Sequence, residues 1–256
     1  MTVTHRTLDI DWLGYATVRL EAADTVVYVD PGRYGVLTGD WTADSPAAAA
    51  AHPPGKNVSP GDADLVCVSH VHHYDPDAIE RVASEGATIL TFEGIDVSRS
   101  PRDLPRLADL PRTVDSSLDV RTVGLEAEGI AADVPFWTVP AYNERDGPHT
   151  RADGRPIHPR GRGCGFILSL DGIRVFWPGD TDVLDGHAAL DVGVFCPPIG
   201  GVFTMDRTAA ADLAAAMDPD LVVPVHYNTF ERIETDSQAF VSDLEAAGVP
   251  VALDES

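Results

Sequence analysis

The stretch Ser69-His70-Val71-His72-His73-Tyr74-Asp75-Pro76 (SHVHHYDP, 69–76) places three histidines within four positions. It leaves the apolar run Leu65-Val66-Cys67-Val68, whose continuity predicts a buried strand. In an extended segment, residues two apart point the same way, so His70 and His72 can converge on one ion. A helix is then expected over DPDAIERVASEG: the Asp75 carboxylate caps free N–H groups, Pro76 suits the first helical position, and Gly86 closes the helix.

Three further stretches repeat the theme of a His or Asp at the end of an apolar strand, the edge where sites collect. They are VPAYN (139–143) followed by IHPRGRGCGF (157–166), WPGDTD (177–182) and VPVHYN (223–228). Between them, short β-branched and aromatic runs from Leu8 to Pro31 predict antiparallel strands. Residues 32–62, rich in Gly, Pro and Ala, predict a long loop with one helical turn. Strands follow at ATILTF, VRTVGL and DVPFWTVPAYN, with a surface excursion over 96–112. GFILSLDGIRVFWPGD reads as a hairpin turning at Asp171-Gly172. The C-terminal part alternates strand DVGVFCPP, helix MDRTAAADLAAAMD, strand DLVVPVHYN, helix DSQAFVSDLEAAG and strand VPVAL. No linker interrupts the pattern, so a single domain over residues 1–256 is expected.

Charge narrows the function classes. The chain carries 41 acidic against 18 basic residues, a formal net charge of -23, and this repels nucleic acid and anionic lipid alike. Lys56 is its one lysine, and aspartate far outnumbers glutamate. Such a surface is similar to that of proteins from salt-loving microbes, in which concentrated salt screens self-repulsion. No leader and no apolar run of the ~18 residues a spanning helix needs is evident, so a cytoplasmic protein is expected. Cys67, Cys164 and Cys196 read as small buried hydrophobes in a reducing compartment.

Taken together, DWLGYATVRLE with TVVYVDPG, SHVH, GDTD, GGVFTMD and VPVHYN resemble the metallo-β-lactamase superfamily over nearly the whole chain. The likeness is greatest to the branch of metal-dependent hydrolases that includes L-ascorbate-6-phosphate lactonase. It implies an α/β fold, the four-layer αβ/βα sandwich, with a metal centre at one edge between the sheets. It also implies metal ligation by His70, His72, Asp180 and His226, with Asp180 as the bridging carboxylate. His158 is the expected ligand between them and His149 its competitor. Asp30, in the DPG turn, is expected to support a ligand from behind. The cofactor implied is Zn2+, as one or two ions, with Mn2+ or Fe2+ as alternatives.

The sequence departs from the family pattern His-x-His-x-Asp-His, because Tyr74 falls where the aspartate belongs. Ungapped, Asp75 replaces the following histidine; with two residues deleted, His73 is that histidine and the aspartate is missing. The capping role of Asp75 favours His73, which leaves the second ion one carboxylate short. One well-held ion and a weaker or absent second are expected. Asp180 is then the expected base, with Tyr74, Tyr142 and Asn143 as donors to a developing oxyanion. Arg145, Arg151, Arg155, Arg160 and Arg162 flank His158, which suits a phosphate or carboxylate on a small substrate. The reading is a hydrolase of an anionic ester, lactone or phosphoester, with a homodimer left open. A non-catalytic metal-binding relative and a nuclease of the same superfamily are its competitors.

Overall fold

In the computed structural model, residues 2–33, 35–37, 40–51 and 61–255 are described. Strands β1 (Val3–His5), β2 (Leu8–Gly14), β3 (Thr17–Ala22) and β4 (Thr25–Val29) pair antiparallel in chain order. Strands β5 (Ala63–Val68), β6 (Ala83–Phe92) and β7 (Asp119–Val123) extend that sheet in parallel. Leu65, Val66, Cys67 and Val68 are all fully buried, as in a strand covered on both faces.

The second sheet runs, edge to edge, through β13 (Leu221–Val222), β12 (Val194–Phe195), β11 (Ile173–Trp177), β10 (Gly163–Leu170), β9 (Val134–Ala141) and β8 (Glu128–Ala131). Its first three strands are parallel and the rest antiparallel. Asp171 and Gly172, both with positive φ (46° and 79°), turn β10 into β11 as expected. Helices α1 (Pro46–Ala51), α2 (Pro76–Val82), α3 (Leu110–Thr113), α4 (Arg207–Met217) and α5 (Ser237–Ala247) flank the sheets, with α4 packed on α5. One apolar core runs through both sheets, so the molecule is an α/β sandwich. No helix among the described residues is long and apolar enough to cross a membrane.

Several boundaries differ from the sequence reading. Helix α2 ends at Val82, because Ala83 turns extended and pairs with Ala63; Gly86 lies inside β6 at φ 79° and its N–H donates to Ser117 Oγ. Strand β8 was not foreseen, since an exposed edge strand built from Glu-Gly-Ile-Ala carries no apolar signal. VPVAL contributes only an isolated bridge, Val251 to Val222. The helical turn expected within 32–62 is α1, while residues 52–60 lie outside those described.

The two sheets meet where chemistry is expected. His70, just past β5, bridges to Gly163 at the start of β10, and Cys164 N–H donates to Ser69 O at 3.2 Å. These contacts bring the carboxyl ends of β4, β5, β11 and β13 to one edge. Gly179 is required there: at φ 73°, a Cβ would stand 2.7 Å from Cys164 O.

Candidate metal centre

Asp180 lies on the loop after β11 and is surrounded by four histidines. Its Oδ2 lies 3.4 Å from His70 Nε2 and 3.3 Å from His158 Nε2. Its Oδ1 lies 3.6 Å from His73 Nε2 and 3.4 Å from His226 Nε2. Most of these separations exceed a good hydrogen bond and suit atoms facing a common ion. His72 completes the first side, with Nδ1 3.2 Å from His158 Nε2. Three groups of potential ligands with atoms within 4.8 Å of one another result among the described residues: His70/His72/His158, His73/Asp180/His226 and Asp30/His70/His73, of which the first two face Asp180 and the third turns its Asp30 to the hydrogen bonds behind the histidines.

The supports behind the ligands fix their tautomers. Ser69 Oγ donates its one proton to Asp30 Oδ2 at 2.5 Å, so it accepts from His70 Nδ1–H at 3.0 Å and leaves His70 Nε2 bare. His158 Nδ1–H donates to the Phe203 carbonyl at 3.1 Å, which likewise leaves Nε2 bare toward Asp180. His73 Nδ1–H donates to Asp30 Oδ2 at 2.8 Å. Asp30 also accepts from Ser69 N–H at 2.7 Å and Trp177 Nε1–H at 2.9 Å, so it supports two ligands from behind. Asp30 and His226 hold left-handed φ values of 48° and 57°, strain that concentrates at functional sites.

Electrostatics follow from burial. Burial and neighbouring histidine charge push His72 down to about 2, and burial takes His158 to about 3 and His226 to about 4. His70 is lowered by burial and by His73. Burial works against ionised Asp180, yet His73, His226 and His70 outweigh it and hold the carboxyl well below its usual range. His73 is opposed by burial, but Asp180 and Asp30 together raise it. Neutral His70, His72, His158 and His226 beside an ionised Asp180 are the protonation states a divalent ion needs, and at His73 an ion would take the place of the proton that the two carboxylates favour. Buried, unpartnered His70 Nε2, His73 Nε2, His226 Nε2 and Asp180 Oδ1 fit such an ion as well.

Of the histidines in the opening motif, His73 therefore joins the cluster. Asp75 does not: it accepts from Ala78 N–H at 3.4 Å and Arg33 N–H at 2.9 Å and caps α2. His149 stays outside too, with its ring nitrogens on Asp182 Oδ1 and, at 2.8 Å, Gly201 O. The oxyanion donors need correction. Tyr74, two residues before α2, is fully buried, and its hydroxyl donates to Pro105 O at 3.1 Å, away from the cluster. Asn143 spends both amide hydrogens, on Asp182 Oδ1 and Phe203 O at 3.0 Å each, while its oxygen accepts from His158 N–H at 2.8 Å. It holds His158 in place. Tyr142 lies under Arg160, 5.4 Å from its ring. Asp180, held so far toward the carboxylate, is a weak proton acceptor, and its two oxygens are placed to ligate an ion rather than to take a proton.

Sequence reasoning missed Asp182, Ser69, Trp177 and Tyr15. Tyr15 packs edge-on to His73 at 5.1 Å and lies 4.5 Å from His226, whose N–H donates to Tyr15 O. The signal for Asp182 was its place in the GDTD stretch, two residues from Asp180.

Residues 9–226 match the family model described as the beta-lactamase superfamily domain. A UPF0173 metal-dependent hydrolase of Archaeoglobus fulgidus is 30% identical over 253 residues, 95% of this chain and 94% of that protein. The chain belongs to this family. A second UPF0173 metal-dependent hydrolase, from Thermococcus kodakarensis, is 31% identical over 240 residues, 90% of this chain and 89% of its own. The fold is shared with Igni18, a metallo hydrolase from Ignicoccus hospitalis, at TM-score 0.64 and 22% identity over 96% of this chain and 94% of that one. The protein is thus a member of a superfamily of metal-dependent hydrolases with the metallo-β-lactamase fold.

Proposed function

We propose that the protein is a zinc-dependent hydrolase acting on an ester, lactone or phosphoester of an anionic small molecule, in a salt-rich cytoplasm. The observation that carries the reading is Asp180 standing between two histidine-rich triads, one carboxylate oxygen toward each. When bound, a divalent ion acidifies its water toward ~7 and polarises the oxygen of the bond to be cleaved. Nitrogen-rich donors suit zinc, with Mn2+ or Fe2+ as alternatives. The second triad lacks the further aspartate of the family pattern, whose place Tyr74 takes, and so is the weaker of the pair.

A cavity of about 240 Å³ reaches His70, His72, His158 and Asp180, and Arg99, Arg151, Arg155 and Arg162 line it. Arg99 and Arg155 share their charge with Asp96 and Asp153. Cations beside the ligands, in a chain of net charge -23, support an anionic group on the substrate. The resemblance to the lactonase branch supports a lactone or phosphoester, and the single lysine and abundant aspartate support the salt-rich setting. The test is turnover of matched neutral and anionic esters, lactones and phosphoesters by metal-loaded protein in high salt. Chelator-sensitive turnover favouring the anionic member is expected. Absence of turnover across all three classes, or turnover indifferent to chelator, would overturn the reading.

A further inference from the structure

A second cleft, of about 460 Å³, borders the same cluster. It shares His72, His158, Asp180 and Arg151 with the first cavity, so both open on the same ligands. What the second cleft adds is Arg33, Arg232, Tyr15, Thr150 and Phe203. Among the described residues three arginines thus line it, and the one acid there is Asp180, which faces four histidines. In a chain with 41 acidic and 18 basic residues, that is a local reversal of the surface charge.

Two of these arginines are held in place. Arg33 adopts a left-handed φ of 72°, its N–H donates to Asp75 Oδ2 at 2.9 Å, and its Nη1–H donates to His72 O at 2.8 Å. Its guanidinium is therefore tied to the backbone of the metal-binding motif. Arg232 lies over the face of Phe203 at 4.8 Å, which orients its planar donors at little entropic cost. Phe203 in turn supplies the carbonyl that fixes His158, so Arg232 is referenced to the same ligand.

We propose that this cleft is a subsite for an oxyanion, a carboxylate or a phosphate, on the part of the substrate lying away from the first cavity. Guanidinium groups offer paired N–H donors that match both anions and are weakly hydrated, so they bind them with geometric selectivity. The proposal deepens the hydrolase reading and rests on it for the identity of the rest of the ligand. A substrate engaging both spaces would carry its cleavable bond over the cluster and its oxyanion between Arg33 and Arg232.

Calorimetric binding to the metal-loaded protein tests this without reading turnover, so a failed hydrolase assay leaves the result interpretable. The probes are inorganic phosphate and succinate at fixed ionic strength. At least one is expected to bind the wild type, and Arg232→Gln and Arg33→Gln should each weaken it about tenfold with metal content unchanged. Arg207→Gln, at an exposed site paired with Asp243, should bind as wild type does. Binding of phosphate alone would assign a phosphoryl group, and of succinate alone a carboxylate. The proposal is overturned if neither probe binds, if both arginine variants bind as wild type does, or if they lose metal together with the anion.

Discussion

His149 and Asp182 form a buried ion pair beneath the loop that carries His158. The two nitrogens of His149 face a carboxylate oxygen and the Gly201 carbonyl, neither of which has a proton to give, so the ring is doubly protonated. Asp182 also accepts from Asn143 Nδ2–H and Glu144 N–H, at 3.0 and 2.8 Å. Through Asn143 this network reaches the backbone of His158. His149→Ala leaves Asp182 as a buried, uncompensated charge and should cost about 3 kcal/mol of stability. The same variant should lower metal occupancy of the His70/His72/His158 triad. Urea unfolding of chelator-treated protein and elemental analysis measure the two effects separately.

The pH dependence has a definite sign. His70, His72, His158, His187 and His226 are all held below the ordinary histidine value by burial. The unfolded chain therefore binds more protons than the folded one below ~6.5, and stability falls as pH drops through that region. Hydrogen bonding to Asp182 raises His149, and charge from Asp180 and Asp30 raises His73 against burial, so these two contribute stability below ~6.5 and lose it as pH climbs through their folded values. Five against two decides the net slope. Metal-free protein should have a lower urea midpoint at pH 5 than at pH 7, and His149→Gln should be more harmful at pH 6 than at pH 9.

Asp30→Asn removes the acceptor shared by His73, Ser69 and Trp177. An amide has only one acceptor oxygen, so the tautomer of His73 is no longer fixed. Loss of such support should weaken metal binding by about 10–100-fold. Competition with a chromophoric chelator reads this directly, and an unchanged affinity would show that Asp30 is mere packing.

Tyr74→Phe is expected to retain full metal content and turnover, because its hydroxyl serves Pro105 O and not the cluster. A cost of about 1 kcal/mol in stability, for one lost hydrogen bond, should be its whole effect. A large drop in turnover with stability intact would restore Tyr74 to the chemistry.

Local sequence was enough for some features and silent on others. The cap at Asp75-Pro76 and the turn at Asp171-Gly172 depend on neighbours a few residues away, and both were readable. Strands β12 and β13 are two residues each, shorter than their apolar runs, because Pro197, Pro198 and Pro224 have no N–H to give and leave only the isolated bridge Pro198 to Val225 beyond them. At Gly200 a Cβ would meet His226 O at 2.5 Å. The direction of Tyr74, the employment of Asn143 and the pairing of His149 with Asp182 are settled by contacts 31, 39 and 33 residues apart in sequence. No local pattern encodes these. Arg33 and Arg232 went unremarked for the same reason: nearly 200 residues separate two side chains that line one cleft.

The central claim is that Asp180 divides two metal sites and that His73, not Asp75, belongs to the second. Metal stoichiometry at saturating zinc, measured by elemental analysis on wild type, His73→Ala and Asp75→Ala, tests it most directly. The account predicts two ions in the wild type, one in His73→Ala, and two in Asp75→Ala with about 1 kcal/mol lost from the helix cap. One ion in the wild type that persists unchanged in His73→Ala would contradict it.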